Sequence, residues 1–143
     1  SGGLYARGHD VVGVDADATL ITAAIEDHPG PTFLVGDLAS LDLPALGLTE
    51  PFAGAVLAGN VMVYLAPDTE VDVLRSVSRH VVADGPVVTG FGLEHGYPLD
   101  RFDQDVLRAG LVLEQRFATW DLRPWRADAD FAVSVLRVPA AQA

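Results

Sequence analysis

The sequence predicts an α/β fold: a mostly parallel sheet with helices on both faces, closed by a C-terminal antiparallel hairpin. Three observations predict it. Short, β-branched apolar runs alternate with amphipathic stretches along most of the chain. Two of these runs end on a carboxylate, at Asp15 and at Asp37. Near the C-terminus, LVLEQRFATWDL (111–122) and DFAVSVLRV (130–138) are separated only by RPWRADA. A parallel crossover needs about a dozen residues or more, so this pair must be antiparallel.

The elements follow in chain order. Leu4 and Tyr5 read as the end of a helix that stops at Arg7-Gly8, with Ser1, Gly2 and Gly3 inside it. HDVVGVD (9–15) is nearly continuous in hydrophobicity, as a strand buried on both faces should be. ADATLITAAIEDHPG then predicts a helix with Leu20, Ile21, Ala24 and Ile25 inward, stopped by His28-Pro29-Gly30. TFLVGD (32–37) is a second strand, and LASLDLPALGLTEP is a loop punctuated by Pro44, Gly47 and Pro51. FAGAVLAG (52–59) is a third strand. Pro67 and Asp68 open a helix whose inward stripe is Val71, Leu74, Val77, Ser78 and Val81, with Asp72 and Arg75 as a solvated pair on its flank. Asp84-Gly85 turns the chain into PVVTGFGL (86–93), and a helix near Asp100–Ala109 ends at Gly110. Only the terminal VPAAQA reads as frayed. There are no internal repeats, and 143 residues fit a single domain spanning 1–143.

Composition excludes several classes. Asp plus Glu number 20 against 9 basic residues, all of them Arg, for a formal net charge of −11. That field repels a phosphate backbone, and no basic stripe offsets it, so nucleic acid is not expected as a partner. Cysteine is absent, which removes disulfides, thiolate metal sites and a cysteine nucleophile. His9, His28, His80 and His95 lack metal-ligand spacing, so no metal site is expected. No stretch is long and apolar enough for a bilayer, and the N-terminus does not read as a signal peptide. The reading is a cytoplasmic protein with no membrane partner; oligomeric state is not legible.

In open α/β sheets ligands gather outside the carboxyl ends of the strands. Those ends are Asp15-Ala16-Asp17, Asp37-Leu38, Gly59-Asn60 and Gly92-Leu93-Glu94-His95. A carboxylate there can accept from both hydroxyls of a ribose. It can equally favour the turn and cap the next helix. Both readings stand for Asp15; Asp37 in the matching place favours the ligand.

HDVVGVDAD, TFLVGDLASLDLP, PFAGAVLAGNVMVYLAP and ADGPVVTGFGL, in that order and spacing, resemble the class I S-adenosylmethionine-dependent methyltransferases over almost the whole chain. The resemblance implies a Rossmann-like three-layer sandwich. It implies that Asp15 holds the ribose hydroxyls with Ala16 packing near the adenine, and that Asp37, beside Leu38, receives the adenine amino group. The Ala58-Gly59-Asn60 segment would lie beside the sulfonium. Phe52 is followed by Ala53 where the family commonly has Asp, and the family's first strand and glycine-rich loop have no counterpart here. Ser1-Gly2-Gly3 is not that loop. The expectation is an N-terminally incomplete domain with the sheet open between strands 9–15 and 52–59, binding S-adenosylmethionine poorly by itself.

The implied reaction is methyl transfer to a small-molecule acceptor that the sequence does not identify. An activated methyl donor asks the protein mainly for alignment, and for a base only if the acceptor is protonated. His95 and Tyr97, in GLEHGYP, are the catalytic candidates; Tyr64 and His95 could face the acceptor, as could TWDLRPW. The plainer readings are that Trp120 and Trp125 clamp the hairpin, Tyr64 is partly core and His95 is a turn residue. A nicotinamide oxidoreductase would also place Asp15 on a ribose, but without Lys there is no Tyr-x-x-x-Lys. A non-catalytic binding module on the same fold is the third reading.

Overall fold

The computed structural model describes residue 4 and residues 6–140. The helical reading of Ser1, Gly2, Gly3 and Tyr5 lies outside the described residues, as does the end of VPAAQA. Leu4 and Ala6 are helical, and Gly8 at φ 89° ends the turn as Arg7-Gly8 predicts. The described residues gather into two compact units, one up to Leu41 and one from Asp42.

In the first unit, β1 (Val12–Asp15) pairs in parallel with β2 (Thr32–Val35), from Val12 opposite Thr32 to Asp15 opposite Val35. Helix α1 (Ala18–Asp27) makes the crossover. It starts where Asp17 Oδ1 accepts from the Thr19 and Leu20 amides at 2.8 and 3.4 Å, satisfying two of the free first-turn donors. It stops at His28, just before Pro29-Gly30. The expected inward face is only partly realised. Ile21 is buried, but Leu20 and Ile25 are 56% and 51% exposed, because within this unit a two-stranded ladder is too narrow to cover the stripe. For the same reason the strands are not buried on both faces: β1 is half-buried and Val35 is exposed.

The second unit holds a mixed sheet in the order β3-β4-β6-β5, formed by Ala55–Leu57, Pro86–Gly92, Phe131–Arg137 and Val112–Phe117. β3 and β4 are parallel, whereas β6 runs antiparallel to β4 and to β5, as the short link requires. A bulge between Leu113 and Gln115 turns Glu114 toward the rim, where its Oε1 accepts from Arg137 Nε at 2.8 Å.

Two helices cover one face of this sheet. In α2 (Glu70–Arg79) the buried positions are Glu70, Val73, Leu74, Ser76 and Val77, while the expected Val71 and Ser78 are only half-buried. The helix is rotated toward α3 (Leu99–Arg108), and Arg75 donates to the Arg108 carbonyl at 2.9 Å instead of pairing with Asp72. Asp68, at φ 64°, is a left-handed turn residue, so α2 begins at Glu70 rather than at Pro67 and Asp68. Val87, Phe91, Phe102, Val106, Leu111 and Leu136 are fully buried or nearly so, and each contributes about 1.5–3 kcal/mol of hydrophobic stabilisation.

Candidate functional site

The strand ends of the first unit carry two acids in the same local setting. Asp15 closes β1, and its Oδ1 accepts from the Asp17 amide at 2.8 Å. Asp37 follows β2 and caps a short 3-10 turn (Leu38–Ser40), its Oδ1 accepting from the Ala39 amide at 2.9 Å. Among the described residues no hydrogen bond reaches the second oxygen of either carboxylate. Each acid therefore fixes its own turn through one oxygen, and its second oxygen has no hydrogen bond among the described residues. Of the two sequence readings for Asp15, turn former and ligand holder, the local geometry accommodates both. The helix cap itself falls to Asp17. Ala16 is exposed and Leu38 is half-buried beside these acids.

The second unit brings together residues from the two loops at the carboxyl ends of β3 and β4. Gly59 and Asn60 both take left-handed conformations, at φ 71° and 61°, which turn the chain sharply off β3. Glycine does this freely and asparagine tolerates it. The turn aims Asn60 Oδ1 at the amide of Gly92, the last residue of β4, at 2.8 Å. A 3-10 turn (Val61–Val63) follows and buries Met62, leaving Tyr64 69% exposed. His95 folds back over the end of β4: a Cβ on Gly92 would lie 3.1 Å from His95 Cδ2 and 3.2 Å from Nε2. Tyr64 and His95 meet as tilted rings with centroids 5.8 Å apart.

Tyr97 sits differently. It is buried, its ring against Phe91 and Phe102, and its hydroxyl donates to Asp105 Oδ2 at 2.7 Å. Burial first, and then the Asp105 and Glu70 carboxylates, push its ionisation far above the ordinary phenol value. Arg101 completes the group, reaching Asp68 and Glu70 at 3.3 and 3.5 Å and Asp105 at 3.9 Å.

Two features escape the sequence reading. Trp120 does not simply clamp its own hairpin; it reaches across β6 to β4, where a Cβ on Gly90 would fall 2.6 Å from Trp120 Cε2. Trp125 takes the Arg116 guanidinium over its ring at 5.6 Å. The glycine at 90 is the sequence signal for the first, visible only once the face it belongs to is known. His80 is a satisfied core histidine, with Nδ1 bonded to the Ser76 carbonyl at 2.6 Å and Nε2 accepting from the Leu43 amide at 3.1 Å.

Parallel strands joined through helices, a left-handed turn off β3 and an antiparallel closing hairpin are the features of an α/β protein. No protein-family model and no curated protein matches the chain. Solved structures do. A TehB-like SAM-dependent methyltransferase from Corynebacterium glutamicum superposes with a TM-score of 0.86 at 39% identity, over 94% of this chain and 71% of that one. The CcbJ methyltransferase from Streptomyces caelestis gives 0.81 at 18% identity, over 96% and 78%. The glycopeptide N-methyltransferase MtfA, complexed with S-adenosylhomocysteine, gives 0.75 at 12% identity, over 97% and 78%. The chain belongs to the class I S-adenosylmethionine-dependent methyltransferases, with their Rossmann-like fold, and S-adenosylmethionine is its cofactor.

Proposed function

We propose that this protein transfers the methyl group of S-adenosylmethionine to a small-molecule acceptor. The observation that carries the reading is the matched pair of acids, Asp15 and Asp37, each with one oxygen bonded to its own turn and the other without a hydrogen bond among the described residues. Asp15 holds the ribose hydroxyls with Ala16 against the adenine; Asp37 and Leu38 take the amino end of the base. The bound sulfonium supplies an activated methyl carbon. Gly59 and Asn60 line the methyl side, and the Asn60 bond to the Gly92 amide keeps that turn fixed.

On the acceptor side His95 takes the proton and Tyr64 holds the imidazole ring in place. The acceptor's N–H or O–H proton passes to His95. S-adenosylmethionine, held by Asp15, Asp37 and the Gly59–Asn60 turn, would supply the methyl carbon to the freed lone pair, with the carbon–sulfur electron pair going to sulfur. Tyr97 is assigned a supporting role, since its hydroxyl is bonded to Asp105 and its ring is buried. The test is calorimetry with S-adenosylhomocysteine. Asp15→Ala should weaken binding by about 1.5–3 kcal/mol, the scale of hydrogen bonds to a charged group. Unchanged affinity in that variant rejects the ribose assignment.

A further inference from the structure

Residues two apart on a strand face the same way, so Gly90 and Gly92 share one face of β4. A Cβ at Gly90 would run into the Trp120 ring, and one at Gly92 would press on His95 at 3.1 Å. The two rings are thus anchored about 7 Å apart along the strand, the rise of two residues. Between their anchors the floor is bare backbone. Tyr64 stands against His95 at the open end and is 69% exposed, while Trp120 is 43% exposed, so both rings keep surface for a ligand.

Arg101, Arg108, Arg116, Arg123, Arg126 and Arg137 each stand within 4.0 Å of a carboxylate. Arg75 is bonded to the Arg108 carbonyl, and Arg79 lies in the last turn of α2, shortly before the Val81 bridge to Phe52 ahead of β3. Among the described residues of this unit, every arginine but Arg75 and Arg79 already has a carboxylate neighbour. The whole chain carries −11 and draws cations toward it.

We infer that Trp120, His95 and Tyr64 form an aromatic cage on the Gly90–Gly92 floor, and that its occupant is an amine, bound as the ammonium or alkylammonium ion. The ring faces supply the attraction for a cation that a carboxylate would supply elsewhere, without the cost of burying a second charge. The inference rests on the methyltransferase reading and names its acceptor class. It also gives the proton a source: the ammonium loses H⁺ to the His95 imidazole, and the neutral nitrogen then attacks the methyl carbon. Trp120 is the specificity-determining residue, and nothing about the cofactor depends on it.

Two titrations followed by NMR test this, with the Trp120 indole N–H as reporter and Trp125→Phe assigning it. Tetramethylammonium should shift the signal saturably, whereas neopentyl alcohol, of similar shape and no charge, should leave it in place. Trp120→Ala and Tyr64→Ala, followed through the His95 ring signals, should each weaken tetramethylammonium about 2- to 30-fold, the range of a cation–ring contact. Trp120→Phe should retain most of the affinity, which separates a lost ring from a lost fold. An equal shift with the alcohol, a shift with acetate in place of the cation, or no shift with any probe overturns the inference. Calorimetry with S-adenosylhomocysteine runs in parallel. Failure there rejects the methyltransferase reading; success there with a silent cation titration rejects only the cage.

Discussion

The Tyr97 hydroxyl donates to Asp105 Oδ2 at 2.7 Å, inside a cluster with Phe91 and Phe102. Because burial and the neighbouring carboxylates raise its ionisation, the folded protein keeps the phenol proton where the unfolded chain releases it. The contribution is complete below the unfolded value of about 10 and is lost as pH climbs above it, by about 1.4 kcal/mol per pH unit. Urea unfolding at pH 8 and at pH 11 should show this loss in the wild type and a smaller one in Tyr97→Phe. The same variant should be about 1–3 kcal/mol less stable at pH 8, since it removes the Tyr97 hydrogen bond and leaves the buried Asp105 with only its ion pairs to Arg101 and Arg108. Parallel pH slopes in the two proteins would reject the assignment. At this scale the sequence is informative where the partner is close in the chain. Asp17 as a cap and Asp15 as a turn former are legible because their partners lie two or three residues away. Tyr97 is not, because its partner lies on α3 and the side chain turns inward only once that helix packs.

Among the elements, β4 shows most clearly what alternation decides. Val87, Thr89 and Phe91 face the helices and are buried; Val88, Gly90 and Gly92 face the other side, where the two rings lie. Thr89 is fully buried, and among the described residues its hydroxyl has no hydrogen-bond partner. A buried hydroxyl without a partner is unfavourable, and valine has nearly its shape. Thr89→Val should therefore raise stability by about 1 kcal/mol, read as a higher urea midpoint at unchanged slope. A lower midpoint would mean that the hydroxyl is satisfied. All six strands and the three main helices were legible as periodic runs, and their faces less so. The stripe read from α2 alone places Leu74, Val77 and Val81 correctly but misses Glu70, Val73 and Ser76, because Glu70 and Arg75 turn toward Arg101 and Arg108 of α3. For α1 the pattern names Leu20 and Ile25 as inward, yet what a helix buries depends on the width of its partner sheet. The cage is the extreme case. Its glycines are plain in the sequence, but their meaning needs the face of β4 and the reach of a hairpin across β6.

At the scale of the whole molecule the two compact units differ in what they bury. Among the described residues up to Leu41, Ile21 is the buried apolar side chain, whereas the unit from Asp42 encloses Leu74, Val87, Phe91, Phe102 and Leu136 almost completely. Local opening follows burial, so amides of β1 and β2 should exchange with deuterium much faster than those of β4 and β6. The cofactor assignment adds a second expectation. If Asp15 and Asp37 carry the ribose and the adenine, S-adenosylhomocysteine binds the ordered form of β1 and β2 and not their open form. At a concentration of about 100 times its dissociation constant, such a ligand stabilises the competent state by about 2.7 kcal/mol, so exchange there should slow about 100-fold. Exchange in β5, which contributes none of the assigned cofactor residues, should change far less. Mass-spectrometric exchange with and without S-adenosylhomocysteine reads both effects in one experiment. Binding seen by calorimetry with no slowing across β1 and β2 would place the nucleoside elsewhere and remove Asp15 and Asp37 from its site.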